Sequence, residues 1–270
     1  MPNLYIVATP IGNIGDVTLR AMKVLKDVGL IAAEDTRRTA RLLAACSIDT
    51  PMTSYYEQNK RSKLRYLLRQ LQTIDVALVS DAGTPGISDP GFELINAAID
   101  NGIAVVPVPG PSVLVTSVVV SGLPTHEFTY LGFMPRKKAQ RISFLERVAD
   151  QPRTLVMFES PHRIRAALRD VLKVLGDRRI AVCREMTKLY EEVFRGTVTG
   201  AIDYFAEPRG EFTLVIEGKI GEEPPSIASV EEELLRLRSE GLSGKDAVAQ
   251  VAKSTGLPKK EVYRMWLGLG

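Results

Sequence analysis

Three loops rich in glycine and proline follow three short apolar runs in the first 112 residues of the chain. They are ATPIGNIGD at 8–16, SDAGTPGISDPG at 80–91 and PVPGPS at 107–112. Glycine allows a ligand to approach the backbone closely, and proline stiffens a loop. Ligands of open α/β sheets bind at the carboxyl ends of the strands, so we expect one ligand crevice where these loops lie.

The loop at 80–91 carries the strongest indication of a ligand site because Asp81 directly follows a predicted strand. Its carboxylate could accept hydrogen bonds from a ribose or hold a cation. Gly83 and Gly86 leave the backbone open to a ligand, whereas Asp89 is expected only to cap the following helix. The loop at 8–16 lacks the G-x-G-x-x-G pattern, and no phosphate-binding loop follows it, which disfavours an ordinary dinucleotide site.

Acidic and basic side chains follow other predicted strands as well. The groups are Glu34, Asp35, Arg37 and Arg38; Glu159, His162 and Arg163; and Arg184, Glu185 and Lys188. Such groups could perform acid–base chemistry, or they could cap helices and face solvent. No single group decides between these interpretations.

Short apolar runs alternate with amphipathic segments of helical length, which predicts βαβ units around a largely parallel sheet. From about residue 128 onward the strands are spaced more like those of a mixed sheet. Gly110 and Pro111 interrupt the chain between these halves. We therefore predict an α/β domain over 1–112 and a second α/β domain over 113–221.

The C-terminal 49 residues, 222–270, are predicted to form a small helical domain. GEEPPSIAS at 221–229 is typical of a linker, and STGLP at 254–258 joins two helical segments. A helix, a short glycine-containing turn and a second helix form the helix-turn-helix pattern. The alternative is a helical hairpin that only packs against the rest of the chain.

The composition excludes several classes of protein. Of the 270 residues 45% are hydrophobic, and the formal net charge is +3. No uninterrupted apolar run reaches about 18 residues, so we expect no transmembrane helix, and the N-terminus is not typical of a targeting signal. Two cysteines and two histidines argue against a disulfide framework and a metal site. The expected location is the cytoplasm.

Seven motifs occur in a fixed order over about residues 4–218. They are ATPIGNIGD, EDTRRT, SDAGTPGISDPG, PVPGPS, FESPHR, CREMTK and GEFTLVIEG. With them the chain closely resembles the RNA ribose methyltransferases of the tetrapyrrole methylase superfamily. The resemblance implies two α/β domains of the class III methyltransferase type, with S-adenosyl-L-methionine in the cleft between them and a C-terminal helical domain that docks RNA.

The resemblance also implies which residues bind the cofactor and the RNA. The cofactor residues would be Pro10, Asp81, Ala82, Gly83, Thr84, Ile87, Ser112, Phe158 and Thr213. For methyl transfer, the candidate catalytic residues are those at the ends of predicted strands: Asp35, Arg37, Glu159, Glu185 and Lys188. Asp35 and Glu159 are the first candidates for the general base. The residues expected to bind RNA are Arg38, Arg41, Arg136, Lys137, Lys138, Arg163, Lys259 and Lys260.

The substrate implied by the resemblance is the 2′-hydroxyl of a cytidine, cytidine 1402, in the decoding centre of 16S rRNA in the small ribosomal subunit. A homodimer is implied as well. Corrin and porphyrin methylases usually have a more glycine-rich first loop and GDP in the second, so TPIGN and SDAGTPG favour RNA. Two alternatives stay open: a methylase of a corrinoid or porphyrin, and a nucleic-acid-binding regulator whose α/β body senses a ligand.

Overall fold

Two five-stranded sheets make up the body of the protein, which spans Met1–Gly218. A computed structural model describes residues 2–219 and 227–269 of the chain. Lys219–Gly270 form a second unit. The sequence analysis predicted that domains end at residues 112 and 221, and these two domain boundaries stay predictions.

The first sheet is entirely parallel, which confirms the prediction for this half. Its strands are β1 (Asn3–Val7), β2 (Leu30–Ala33), β3 (Met52–Ser54), β4 (Val76–Val79) and β5 (Ala104–Val108), in the order β3-β2-β4-β1-β5. Every residue of β2 and β4 is buried, as expected of inner strands that are covered on both faces. The sequence analysis missed β3.

Five helices connect or follow these strands. They are α1 (Leu19–Asp27), α2 (Thr36–Ala45), α3 (Lys60–Gln70), α4 (Phe92–Asp100) and α5 (Val113–Val120). Asp35 caps α2 by accepting a hydrogen bond from the amide of Arg37 at 2.9 Å. The prediction that Asp89 caps α4 is wrong, because Gly91 occupies that position and no side chain caps the helix.

The second sheet is mixed, as predicted. Its strands are β6 (Phe128–Phe133), β7 (Thr154–Glu159), β8 (Arg179–Arg184), β9 (Glu192–Thr197) and β10 (Phe212–Ile216), in the order β6-β7-β10-β8-β9. Only β6 and β7 run parallel, and the other three pairs are antiparallel. Helices α6 (Lys138–Glu146), α7 (Ile164–Leu175) and α8 (Val198–Tyr204) accompany this sheet.

Arg141 ends the basic stretch PRKKAQR at 135–141, which also carries Arg136, Lys137 and Lys138, three residues expected to bind RNA. Its guanidinium is buried, and its Nε donates to the Asp170 carboxylate at 2.8 Å. The same group also donates to the carbonyls of Pro135 and Arg136. Removing one partner of a buried ion pair costs about 3–5 kcal/mol, so Arg141 anchors this stretch instead of binding RNA.

The second unit consists of α9 (Ile227–Ser239), α10 (Gly244–Thr255) and α11 (Lys259–Gly268). Of the predicted linker, 221–226 lie outside the described residues, and the last three positions belong to α9. Ser243 caps α10, and Gly256 ends it in the left-handed conformation, with φ 70°. Residues of all three helices, among them Leu234, Val251 and Val262, share one apolar core. No helix in the described parts of the chain is long and apolar enough to cross a bilayer.

Candidate active site

The three glycine- and proline-rich loops meet at one edge of the first sheet. Thr9 and Gly83 exchange two backbone hydrogen bonds, of 2.9 and 3.0 Å, and Gly83 has a φ of +76°, which favours glycine. At Gly110 a Cβ would lie 3.1 Å from that of Ala8, so the third loop packs closely against the end of β1. The loops that the sequence singled out are thus brought together by the parallel sheet.

A cavity of about 360 Å³ opens beside these loops, and we call it the acidic cleft. Three carboxylates line it, those of Asp89, Glu159 and Glu211. Among the described residues that line the cleft there is no lysine, arginine or histidine. Its other walls are mainly apolar or small, so the cleft is suited to a ligand with positive charge and apolar surface.

Glu159 has an unusual environment for a carboxylate. Its side chain is buried, and Oε1 accepts a hydrogen bond from the Ser160 amide at 2.7 Å and forms an ion pair with the Arg163 guanidinium at 2.5 Å. Its Oε2 is buried and has no hydrogen-bond partner within the described structure. An unsatisfied buried carboxylate oxygen is costly, so Oε2 is a candidate acceptor for a hydrogen bond from a ligand.

Asp89 is the second carboxylate of the acidic cleft. Burial, together with repulsion from Glu34 and Asp81, raises its pKa to about 7, against the opposing effect of a hydrogen bond with Ser80. Its charge therefore changes near neutral pH, and any cation that binds beside it favours the ionised form.

Aromatic side chains of the second sheet line the other side of the acidic cleft. The rings of Phe133 and Phe158 lie edge to face, with centroids 5.5 Å apart. A register shift between Tyr130 and Phe133 sets the position of Phe133. The Tyr130 hydroxyl is hydrogen-bonded to that of Ser88, which ties the loop at 80–91 to β6.

A smaller cavity of about 250 Å³ adjoins the acidic cleft, and we call it the basic cavity. Arg38, Arg41 and Lys188 line it. The two cavities share a wall made of Ile11, Ala82 and Glu211. Two ligands of opposite charge bound in these cavities would therefore meet at this wall.

Asp81 is the carboxylate at the end of β4 that faces the basic cavity. Its Oδ1 accepts a hydrogen bond from the Asp35 amide at 3.0 Å, and its Oδ2 lies 3.3 Å from the Arg38 guanidinium. Burial is the main cause of the raised pKa of Asp81, although Arg38 opposes it. The carboxylate is thus more basic than that of an exposed aspartate. Its Oδ2 is the oxygen more available to a ligand, because its contact with Arg38 is longer than the hydrogen bond that Oδ1 accepts.

Lys188 donates hydrogen bonds to Glu211 at 2.8 Å and to Glu185 at 3.0 Å. Burial lowers its pKa, but the two carboxylates outweigh burial and raise it overall, so Lys188 stays protonated. This argues for a charge-bearing role rather than that of a general base.

The loop that carries Lys188 packs tightly against the loop after β1. A Cβ at Gly12 would lie 2.4 Å from Lys188 Cγ, and the Asn13 amide donates to Thr187 Oγ1 at 3.1 Å. Glu185 and Thr187 both have positive φ angles, 49° and 65°. Backbone strain of this kind clusters at functional sites, where the surroundings hold it in place.

The predicted cofactor residues divide between the two cavities. Seven of them line the acidic cleft, namely Ala82, Gly83, Thr84, Ile87, Ser112, Phe158 and Thr213. Pro10 and Asp81 line the basic cavity instead, and Ala82 lines both.

Not all of the predicted catalytic residues line the two cavities. Glu159 lines the acidic cleft and Lys188 the basic cavity, where Glu185 contacts it. Asp35 and Arg37 line neither cavity and form an ion pair at 2.8 Å. Hydrogen bonds from Arg37 hold the pKa of Asp35 well below its usual range, which favours a capping role over that of a base.

The residues predicted to bind RNA lie in four places. Arg38 and Arg41 line the basic cavity. Arg163 is held internally by Glu159, Ser160 and the Met134 carbonyl. Two further groups are exposed, at the start of α6 and of α11: Arg136, Lys137 and Lys138, and Lys259 and Lys260.

Glu211, Asp89 and Phe133 line the acidic cleft but were not predicted as site residues. Glu211 and Asp89 belong to motifs recognised in the sequence, GEFTLVIEG and SDAGTPGISDPG. The sequence analysis predicted a helix-capping role for Asp89 and no role for Glu211 or Phe133. Only the packing of the two sheets shows that all three reach the same cleft.

Two family models match the chain. Residues 3–201 match the family described as Tetrapyrrole (Corrin/Porphyrin) Methylases, and residues 227–270 match the RsmI C-terminal HTH domain.

Eight curated relatives, 40–47% identical, cover 81–99% of this chain and share the name ribosomal RNA small subunit methyltransferase I. The protein of Halalkalibacterium halodurans is 45% identical over 97% of this chain and 94% of its own length. That of Synechocystis is 45% identical over 98% of both chains. That of Thermotoga maritima is 47% identical over 81% of this chain and 100% of its own length.

Solved structures show the same fold. Native uroporphyrin III C-methyl transferase from Thermus thermophilus matches with a TM-score of 0.57 and 20% identity, over 80% of this chain and 97% of that one. The same enzyme complexed with S-adenyl homocysteine matches with a TM-score of 0.57, 21% identity and the same coverage. By fold, family model and sequence identity, the chain belongs to the tetrapyrrole methylase family and, within it, to the ribosomal RNA small subunit methyltransferase I group.

Proposed function

We propose that the protein methylates small-subunit ribosomal RNA in the cytoplasm with S-adenosylmethionine as the methyl donor. The observation that carries this proposal is the separation of charge between two adjoining cavities. The acidic cleft has three carboxylates and no basic residue among its described lining, whereas the basic cavity has three basic side chains beside the carboxylates of Asp81 and Glu211. A cationic donor and an anionic acceptor fit this arrangement.

The residues of the acidic cleft fit S-adenosylmethionine. This cofactor supplies a methyl group on a positively charged sulfur, and its amino group is a second cation. Asp89 and the unpartnered Glu159 Oε2 provide negative charge and a hydrogen-bond acceptor. Phe158 and Phe133 provide apolar surface for a flat ring, and Gly83 allows close approach to the backbone.

The basic cavity fits a nucleotide of RNA. Arg38 and Arg41 are suited to bind a phosphate, since guanidinium groups form paired hydrogen bonds with phosphate oxygens. Asp81 lies in the same cavity, where its Oδ2 would accept the proton that a ribose hydroxyl loses on methylation. Holding both reactants at the shared wall of Ile11, Ala82 and Glu211 lowers the entropic part of the barrier.

The finer target that we propose is the 2′-hydroxyl of cytidine 1402 in 16S rRNA. The motif resemblance implies this position and a homodimeric protein, and the shared name of the curated relatives supports the ribosomal RNA of the small subunit. An assembled small subunit is the expected substrate because the decoding centre forms late. Sedimentation of the purified protein would test the homodimer.

The test is methylation of purified small subunits that lack the modification, with radiolabelled S-adenosylmethionine. We expect label at one cytidine, at a ribose that resists alkaline cleavage because its 2′-hydroxyl is blocked. Label on a base would contradict the ribose target but keep the RNA substrate. Demonstrated cofactor binding with no label on RNA would overturn the RNA substrate, and a screen of corrinoids and porphyrins would follow.

A further inference from the structure

Glu211 is the carboxylate that the acidic cleft and the basic cavity have in common. Three carboxylates line the acidic cleft, those of Asp89, Glu159 and Glu211, and of these three Glu211 also lines the basic cavity. The two other described residues that border both cavities, Ile11 and Ala82, carry no charge. A charged ligand in either cavity therefore acts on the same carboxylate.

Lys188 is the cation that Glu211 neutralises. Its Nζ lies 2.8 Å from Glu211 Oε2 and 3.0 Å from Glu185 Oε1. Glu185 is held in place, because its Oε1 also accepts a hydrogen bond from the Glu211 amide at 2.9 Å and its side chain is only 21% exposed. The side chain of Glu211 is 74% exposed, and exposed side chains change rotamer quickly. Glu211 is therefore the carboxylate that is free to turn toward another cation.

The charges that line the basic cavity nearly balance. Arg38, Arg41 and Lys188 are positive, and Asp81 and Glu211 are negative, so the described lining has a net formal charge of +1. A cation that holds Glu211 from the side of the acidic cleft removes one of the two opposing charges. The attraction of the basic cavity for an anion therefore depends on what occupies the acidic cleft.

We propose that Glu211 couples the two cavities: a positively charged methyl donor in the acidic cleft attracts the Glu211 carboxylate away from Lys188, and the charge thus released on Lys188 strengthens the binding of an RNA phosphate. This inference rests on the proposed function. Coupling between two binding sites is reciprocal, so RNA strengthens the binding of the donor by the same factor. The protein thereby favours the complex in which both reactants are present.

Methyl transfer itself removes this coupling. The bond between sulfur and the methyl carbon breaks, a bond between that carbon and the ribose oxygen forms, and the electron pair stays on sulfur, which becomes neutral. The hydroxyl proton goes to Asp81, the base of the proposed function. Glu211 then pairs with Lys188 again, so the two products are held more weakly than the two reactants. Product release often limits turnover, and this device would speed it.

The experiment measures the dissociation constant of the full-length protein for unmodified small subunits with no analogue, with S-adenosylhomocysteine and with sinefungin. Sinefungin has a protonated amine in place of the methylated sulfur, whereas the sulfur of S-adenosylhomocysteine is neutral. Calorimetric titration sets a saturating concentration of each analogue. Binding should be about fivefold tighter with sinefungin than with S-adenosylhomocysteine, at the lower end of couplings between sites, because water screens the exposed Glu211 carboxylate.

Glu211→Gln keeps the size of the side chain and removes its charge. With no analogue present, this variant should bind small subunits about fivefold more tightly than the wild type, because the charge of Lys188 is then released permanently. Its affinity should be the same with sinefungin as with S-adenosylhomocysteine. Glu207→Gln is the matched control, since Glu207 is an exposed carboxylate of the same loop before β10 and lines neither cavity. It should behave as the wild type does.

Two results would overturn the inference. Equal affinity of the wild type for small subunits with sinefungin and with S-adenosylhomocysteine would show that charge in the acidic cleft does not act on the basic cavity. A difference that persists in Glu211→Gln, with its fold verified by circular dichroism, would assign the coupling to another residue. Neither result concerns methylation of small subunits by the wild-type protein. Failure of that methylation would instead count against the proposed function, so the two failures are distinguishable.

Discussion

The acidic cleft and the basic cavity are neighbours with opposite chemistry. Both lie beside the loops that follow β1 and β4, and they share Ile11, Ala82 and Glu211. The acidic cleft takes further walls from α5 and from the second sheet, including Phe158, whereas the basic cavity takes Arg38 and Arg41 from α2. The difference teaches that one set of glycine-rich loops can border two cavities of different charge, because different elements complete them.

Among the substitutions that distinguish the two cavities, Asp81→Asn should have the largest effect, which is on the rate of methyl transfer. Loss of a general base reduces the rate about 10²–10⁴-fold, and the single-turnover rate of methyl transfer to small subunits measures it. The dissociation constant for S-adenosylmethionine should change less than about threefold, because Asp81 lines the basic cavity. A large loss of cofactor affinity with normal turnover would instead assign Asp81 to the cofactor, as the sequence suggested.

Arg38→Glu should reduce kcat/KM for small subunits about 100-fold, because a charged hydrogen bond to phosphate is replaced by repulsion. Cofactor affinity should stay within about twofold of the wild type. Arg169→Glu is the matched control, since Arg169 is an exposed residue of α7 that lines neither cavity. Equal losses in both variants would show that net charge, rather than the basic cavity, attracts the RNA.

Glu159→Gln should weaken S-adenosylmethionine binding about tenfold, since the amide that replaces one carboxylate oxygen carries no negative charge and its nitrogen accepts no hydrogen bond. Calorimetric titration measures the change. Glu146→Gln removes an exposed carboxylate outside both cavities and should have no effect. Unchanged affinity in a folded Glu159→Gln protein would remove Glu159 from the cofactor site.

Asp89→Asn should have the smallest of these effects. It should change the affinity for S-adenosylmethionine by an amount that depends on pH. With a pKa of about 7, Asp89 is mostly neutral at pH 6 and mostly ionised at pH 8. Affinity for the cationic donor should therefore rise about threefold over this range in the wild type and stay flat in the variant. A parallel rise in both proteins would assign the titration to another group.

The raised pKa of Asp89 also predicts that the stability of the fold depends on pH. The folded-state pKa lies above the ordinary value of 3.8, so the folded protein holds an extra proton between about pH 4 and 7. The contribution of Asp89 to the free energy of unfolding consequently falls as pH rises through this window. Compared with the wild type, Asp89→Asn should gain more in Tm at pH 8 than at pH 5.

The sequence predicted the inner strands and the loops at their ends because apolar runs of four or five residues carry a clear pattern. It missed β3, which has three half-buried residues, and β9, which has no buried residue. Strands of this kind lack the apolar pattern on which the prediction depends. The fold class was therefore predictable, while these two edge strands were not.

The division of the site into two cavities could not be predicted. It depends on contacts distant in sequence, such as that of Lys188 with Glu211, 23 residues apart, and that of Ser88 with Tyr130, 42 residues apart. The burial of Arg141 against Asp170, 29 residues away, has the same origin. Local patterns show which side chains follow a strand, but only tertiary packing shows which ligand they face.

The three residues that line both cavities have a consequence for inhibition. Since Ile11, Ala82 and Glu211 border both cavities, one molecule could occupy the two at once: a nucleoside amino acid joined by a short linker to a nucleotide phosphate. Linking two weak ligands makes the second binding event intramolecular, so the affinity of the conjugate can exceed that of either part by about 10²–10⁴-fold. Such a conjugate would also discriminate against methylases that lack the basic cavity, because they would offer its phosphate no counterpart of Arg38 and Arg41.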